Sequence, residues 1–125
     1  MTQENSKQLL LKDLCARLPY KIKISIPELF TNKEQVETLN EIFKGNDDLY
    51  RVNDSGILIE NIKPYLFPLS SMTEEEKLMY EGLMIGTDNI SYMLDVIDWL
   101  NAHHFDYRNL IQMNLAIDAT GLNIY

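Results

Sequence analysis

The stretch that most constrains the fold is residues 62–76, IKPYLFPLSSMTEEE, where an apolar run bounded by prolines meets a helix start. Pro64 and Pro68 fix their own φ angles and lack an amide hydrogen, so the segment between them suits the edge of a sheet and not its centre. Thr73 and Glu76 have the spacing of a capping box, in which each side chain accepts a hydrogen bond from the other residue's backbone N–H. The stretch therefore predicts an extended segment followed by a helix that starts at Thr73.

The three adjacent glutamates at 74–76 raise the question of a metal or acid–base cluster. Neighbouring helical residues point in different directions, so three consecutive carboxylates do not converge on one ion. Their charge instead complements the positive end of the helix dipole. We interpret them as a solvated helix N-terminus.

The chain is acidic, and the charge is concentrated in its second half. The 125 residues carry a net charge of −8, and a chain of this length suits a single domain over 1–125. Residues 61–125 hold 9 acidic and 3 basic side chains, whereas binding to a nucleic acid calls for a basic surface. We therefore expect no direct nucleic-acid binding.

The start of the chain and its hydropathy argue against export and membrane insertion. Residues 1–8 are polar, and the apolar run 9–11 is too short for a signal peptide. No apolar run is long enough to cross a membrane. The single cysteine, Cys15, excludes an intrachain disulfide and a cysteine-based zinc site. These features predict a cytoplasmic protein with no membrane contact.

Short elements are predicted before the proline-bounded stretch. Leucines at helical spacing predict a helix over 6–18, and alternating isoleucines predict a strand over 20–26. A Gly-containing turn at 54–56 between two short apolar runs predicts a hairpin. Residues 34–44 fit a helix by periodicity and a strand by context, and the residues alone leave both open.

Two or three helices are predicted after Thr73. The first ends at residue 83 or 85, and the second, over 89–103, has apolar residues around so much of its circumference that we expect it to be deeply packed. Asp106 is a candidate N-cap for a short third helix that ends near Leu115. Residues 116–125 have the composition of a loop-like tail.

Two blocks, IKPYLFPLSSMTEE and WLNAHHFDYR, resemble an uncharacterised family of short proteins from gut Bacteroidales genomes and their phages and prophages. The likeness covers residues 57–120, about half of the chain. This chain departs from the family pattern at Phe67, where many relatives have Arg, and at Asn109, where many have Gly. The resemblance implies a phage or mobile-element setting and favours strands over 34–60. It implies no chemistry.

His103, His104 and Asp106 form the one group that suggests a metal or general-base site. Adjacent histidines at a helix end point apart, and their spacing does not match a H-E-x-x-H zinc site. We favour a structural role, in which a histidine lies at the negative end of a helix and Asp106 caps the next element.

Other signatures of catalysis are missing from the sequence. It contains no glycine-rich phosphate loop and no G-x-S-x-G motif. Cys15 lies on an apolar helix face and is expected to be a small buried hydrophobe. No catalytic, cofactor-binding or metal-ligating residue is assigned, and no cofactor is expected.

These observations predict an α+β fold with an N-terminal helix, a small antiparallel sheet that is open or barrel-like, and two or three C-terminal helices. Within the single domain, the helix occupies residues 1–18, the sheet region 20–68, the helical region 73–115 and the tail 116–125.

We favour a non-enzymatic accessory or protein-interaction protein, linked to a phage or mobile element, that binds an unidentified protein partner. An exposed apolar patch would support this function. One alternative is an acidic inhibitor that imitates a nucleic acid. Another is a small enzyme that uses the two histidines and Asp106. Tyr65, Leu66 and Phe67 are a candidate interaction surface if exposed, although we expect Tyr65 and Leu66 to be buried.

Overall fold

The computed structural model describes residues 3–26, 35–85 and 90–125, in which three α-helices accompany two small sheets. In chain order the elements are α1 (Gln3–Arg17), β1 (Lys23–Ile26), β2 (Gln35–Thr38), β3 (Ile42–Lys44), β4 (Tyr50–Val52), β5 (Ile57–Leu58), β6 (Lys63–Pro68), α2 (Glu74–Met84), α3 (Ile90–Ala102), β7 (Phe105–Asp106) and β8 (Ile117–Asp118). The predicted α+β class is confirmed, and neither sheet closes into a barrel within the described residues.

Strand β6, formed by the proline-bounded stretch, lies inside the larger sheet. It pairs antiparallel with β1 and parallel with both β7 and β8, while β2 continues the sheet beyond β1. The edge position predicted for this segment is therefore wrong. Each neighbour pairs with only two residues of β6, and Pro64 and Pro68 lie near its two ends. The amide hydrogens that the two prolines lack are therefore not needed for a long ladder of backbone hydrogen bonds.

A tyrosine hydroxyl continues the contact between β1 and β6. The register that pairs Ile24 with Pro64 would next bring Lys23 opposite Tyr65. At that point the Tyr125 hydroxyl accepts from the Lys23 backbone N–H at 2.9 Å and donates to the Tyr65 carbonyl at 2.7 Å. Burial raises the pKa of Tyr125, so the hydroxyl keeps the proton that it donates. The tail predicted to be loop-like thus contributes both this bridge and strand β8.

The smaller sheet is an antiparallel meander of β3, β4 and β5. It confirms the hairpin predicted around residues 54–56, and strands β2 and β3 resolve the ambiguity over 34–44 in favour of strand. Asn53 fastens the connection between the two sheets. Its side chain accepts from the backbone N–H of Asn40 at 2.8 Å and donates to the Thr38 carbonyl at 2.9 Å.

Helix α1 covers the main core and brings charged groups into it. The apolar core joins α1, both sheets and the segment after β7, through buried residues that include Leu10, Leu14, Ile22, Ile24, Leu39, Val52, Ile59, Ile62, Leu66 and Leu110. Asp13 and Arg17, one helical turn apart on the same face of α1, are also fully buried. Cys15 is exposed, so the prediction that it is buried is wrong. The inward face of α1 carries leucines and this ion pair, whereas Cys15 does not lie on that face.

The buried ion pair holds α1 against the segment that follows α3. The Arg17 guanidinium donates to Asp13 Oδ2 at 2.8 Å and to the Phe105 carbonyl, 88 residues away, at 2.7 Å. Arg108 Nε lies 3.2 Å from Asp13 Oδ1, and the Tyr107 ring lies 5.1 Å from each of the two guanidinium carbons. One carboxylate thus faces two cations, whose attraction offsets part of the cost of burying charge, while Asp13 Oδ1 and Arg17 Nη1 have no hydrogen-bond partner among the described residues. We call Asp13, Arg17 and Arg108 the buried ion cluster.

The third helix predicted between Asp106 and Leu115 is not formed. Asp106 belongs to β7, and the residues after it form turns. Asn109 and Asn114 have positive φ angles of 61° each, which a right-handed helix cannot contain. The Asp106 carboxylate accepts from the backbone N–H groups of Leu110 and Ile111 at 3.0 Å each. Asp106 thus accepts hydrogen bonds from backbone N–H groups, as predicted for a helix N-cap, but the element that follows it is a turn.

Replacing Asp13 with Ala is expected to lower the free energy of unfolding by about 3–5 kcal/mol, because it leaves the guanidinium of Arg17 buried without its counter-charge. Chemical denaturation followed by circular dichroism measures this. Asp95→Ala, at an exposed site on α3, is the matched control and should change stability by less than about 0.5 kcal/mol. Equal effects of the two substitutions would contradict a structural role for the buried ion cluster.

Tyr125→Phe removes only the hydroxyl that bridges β1 and β6. We expect a loss of about 1–2 kcal/mol in unfolding free energy, because two backbone groups lose their common partner. The exposed Tyr92→Phe is the control and should leave the denaturation midpoint unchanged. Amide exchange should become faster at Lys23 in Tyr125→Phe, and unchanged exchange there would argue against the bridge.

Candidate functional site

The most unusual surface of the described residues belongs to the helix pair, which we define as α2 and α3. The predicted start of α2 is confirmed, because the Glu76 N–H donates to Thr73 Oγ1 at 3.1 Å and the Thr73 N–H donates to Glu76 Oε1 at 2.9 Å. The described part of helix α3 begins at Ile90, and residue 89, where this helix is predicted to begin, lies outside the described residues. The helices pack through Tyr80 and Trp99, whose ring centroids are 6.2 Å apart.

The helix pair rests on a small core of its own. Met72, Val96, Leu100 and Phe105 are buried together, with partly buried Phe67, Tyr80, Leu83, Trp99 and Tyr107 around them. Only Val96, Leu100 and Asn101 of α3 are buried. The deep packing predicted for α3 is therefore wrong, because this core covers one side of the helix and leaves another apolar side open.

Many of the exposed large apolar side chains belong to the helix pair. Nine of the fifteen exposed large apolar residues in the described part of the chain lie here, so they are not scattered singly over the surface: Leu78, Met79, Met84, Ile85, Ile90, Tyr92, Met93, Leu94 and Ile97. Leu78, Ile85 and Ile90 are each at least 70 % exposed. A clustered apolar surface of this kind is typical of a binding site.

An apolar groove runs between the two helices. It has a volume of about 270 Å³ and is lined by Tyr80 and Met84 from α2 and by Met93, Val96 and Ile97 from α3. On α3, the exposed residues Ile90, Met93, Leu94 and Ile97 have the spacing i, i+3, i+4, i+7, so they form one continuous stripe beside this groove. We call the groove and this stripe together the apolar face.

Carboxylates border the apolar face on both helices. Glu81 lies one turn from Met84 on α2, and Asp98 lies one turn from Leu94 on α3. The described residues of the helix pair hold six acidic side chains and one basic side chain, Lys77. Lys77 lies 3.5 Å from Glu74, which leaves Glu81 and Asp98 without a cation partner in the described structure. The rim of the apolar face is therefore strongly negative.

The two adjacent histidines are engaged with different neighbours. His103 stacks on Trp99 with ring centroids 4.3 Å apart, and its Nδ1 lies 2.9 Å from the Trp99 carbonyl at the end of α3. His104 stacks on Tyr125 at 3.9 Å and has a positive φ of 63°. The carboxylate of Asp106 is occupied by backbone N–H groups of the turn that follows it. These contacts engage the three side chains with different neighbours, and His104 Nδ1 is buried without a hydrogen-bond partner among the described residues.

No metal site is found where the sequence suggested one. Within residues 3–26, 35–85 and 90–125, no three His, Cys, Asp or Glu side chains are grouped so that they could hold a metal ion. The glutamates at 74–76 begin α2, and Glu76 completes the capping box.

The three residues considered as an interaction surface lie at the junction of the sheet with the helices. Tyr65 and Leu66 are buried, as expected. Phe67 is half-buried, and its ring contacts those of Phe105 at 6.3 Å and Tyr125 at 5.7 Å between centroids. Little of this segment is therefore available to a partner. The sequence pattern predicts a core position for the residues of the apolar face, and the i, i+3, i+4, i+7 stripe from Ile90 to Ile97 is the signal that identifies the exposed part of it.

None of the helices in the described parts of the chain is both long enough and apolar enough to span a membrane.

His104 makes stability depend on pH. Burial lowers the pKa of His104 from 6.5 to about 4, assisted by the charges of Arg17 and His103. The unfolded chain therefore binds a proton at higher pH than the folded chain does. The contribution of neutral His104 to the stability of the fold is complete above pH 6.5. This contribution is lost progressively as the pH falls toward about 4.

We expect His104→Asn to flatten this part of the stability–pH curve, because asparagine does not titrate and tolerates the positive φ. Denaturant midpoints measured between about pH 4 and 7 for both proteins test this, since that range spans the titration of an ordinary histidine. A wild-type curve and a His104→Asn curve that run parallel across this range would contradict it.

Comparisons of the chain with protein-family models, with curated proteins and with solved structures find no match.

Proposed function

We propose that this chain is a non-enzymatic protein-interaction module that binds a protein partner through the apolar face of the helix pair. The observation that carries the proposal is the apolar cluster that the exposed stripe of Ile90, Met93, Leu94 and Ile97 forms with the groove between the two helices. Transfer of apolar surface out of water is favourable by about 25 cal/mol per Å², so a partner that covers this cluster gains binding energy.

The shape of the face also supports binding to a protein. A groove between two helices, with apolar residues on both walls, matches the way in which amphipathic helices are bound by helical proteins. Three methionines, Met79, Met84 and Met93, lie on the exposed side. Their flexible thioethers adapt to the side chains of a partner.

The acidic inhibitor is the second candidate. The negative charge of the helix pair favours it, with six acidic side chains and one lysine in the described residues. Three of these carboxylates lie together in the first turn of α2 and the other three lie among apolar residues, whereas imitation of a phosphate backbone needs a polar surface of continuous charge. The apolar face therefore supports the interaction module better. The likeness of the two sequence blocks to phage-linked proteins supports a mobile-element setting for it.

Leu94→Glu places a charge in the middle of the apolar face at a side chain that is 57 % exposed, so the fold should tolerate it. We expect this variant to lose a protein that the wild type captures from an extract, and to bind that purified protein about tenfold more weakly or worse in calorimetry.

The matched control is Leu122→Glu, the same change at a 49 % exposed leucine in the C-terminal tail. It should capture the same protein as the wild type. Ile97→Glu, which alters the groove wall, should behave like Leu94→Glu. If the two face variants bind the partner as tightly as the control does, the apolar face is not the binding site.

A further inference from the structure

We infer that the apolar face accepts a basic amphipathic helix, whose apolar ridge fills the groove while lysines or arginines on its flanks meet Glu81 and Asp98. This inference rests on the proposed function and specifies the chemistry of the partner. It combines the apolar groove with the negative charge of its borders. A non-specific apolar surface would not show both features.

The exposed apolar stripe on α3 favours a helix as occupant. Helix α3 has 13 residues and presents a straight stripe from Ile90 to Ile97. A second helix laid along this stripe can offer residues at the same i, i+3, i+4, i+7 spacing. Its backbone hydrogen bonds are satisfied internally, so covering the apolar face leaves no unpaired backbone groups against apolar surface.

The negative charge of the rim favours a positively charged partner. Glu81 borders the α2 wall of the groove, and Asp98 borders the α3 stripe, so carboxylates stand on both sides of a bound helix. The structure gives neither of them a cation partner among the described residues. A basic helix would supply those cations and would also be drawn to the site by the long-range field.

The same charge argues against two other occupants. In a second copy of the helix pair, Glu81 and Asp98 would border the same interface as Glu81 and Asp98 of the first copy, and like charges oppose such a contact. An anionic lipid surface would be repelled in the same way. A basic helix is the occupant that satisfies both the groove and its rim.

A displayed library of helical peptides of about 15 residues tests the inference, because a rise of about 1.5 Å per residue lets such a helix follow the length of α3. Every member carries the same apolar ridge and differs only at the flanking positions, which hold Lys, Arg, Gln or Glu. We expect selection on the wild-type protein to enrich Lys and Arg. The enriched peptide should bind about tenfold or more tightly than its Glu-flanked counterpart at low salt, with a smaller difference at high salt.

A variant in which the charge of the rim is reversed tests the inference most directly. Glu81→Lys/Asp98→Lys changes two exposed side chains and should reverse the preference, so that the Glu-flanked peptide binds more tightly. Asp54→Lys, an exposed charge reversal in the turn between β4 and β5, is the control and should keep the wild-type preference.

The outcomes separate this inference from the proposed function. Peptides that require Leu94 but show no preference for basic flanks would overturn the basic partner and leave the apolar face as a binding surface. Self-association of the wild type that Leu94→Glu abolishes would identify a second copy as occupant and overturn the basic partner as well. Failure to enrich any peptide that distinguishes the wild type from Leu94→Glu would count against both.

Discussion

The structure depends on a carboxylate and a guanidinium that are both hidden from water. Asp13 and Arg17 are 0 % exposed, and an unpaired charge in such a place would cost several kcal/mol. Each of the bonds that compensate this cost reaches a different part of the chain. One remains within α1, one reaches the Phe105 carbonyl in β7, and Arg108 approaches from the turn beyond. The geometry of α1, β7 and that turn is therefore fixed jointly, and the helix pair is held against the sheet next to them.

Local rules in the sequence were sufficient where a few adjacent residues decide the structure. The capping box at Thr73 and Glu76 and the hairpin around residues 54–56 are of this kind. The α+β class followed from adding such elements together. The buried ion cluster could not be predicted, because Asp13 and Arg17 four residues apart look like an ordinary exposed helix pair. Only the position of Arg108 and the Phe105 carbonyl, far away in the chain, makes them a core element.

The errors over the second half of the chain have a common cause. An apolar helix face has the same sequence pattern whether it meets its own core or a partner, so α3 was assigned to the interior. The amount of core that the rest of the chain supplies decides the matter. Here Met72, Val96, Leu100 and Phe105 cover one side of the helix pair, and no further described element covers the other. In the same way, the turn after β7 has helix-like residues but is set by backbone angles that a pattern of side chains does not reveal.

Phe67 is half-buried among rings, a position where the aliphatic stem of an arginine could also cover apolar surface while its charge reaches water. Asn109 adopts a positive φ of 61°, which glycine and asparagine both tolerate.

Asparagine takes this conformation repeatedly, at Asn53, Asn109, Asn114 and Asn123, where many proteins use glycine. A side chain restricts the disordered chain more than glycine does, so the unfolded state has fewer conformations to lose on folding. The asparagines in these turns thereby stabilise the fold partly by lowering the conformational entropy of the unfolded chain.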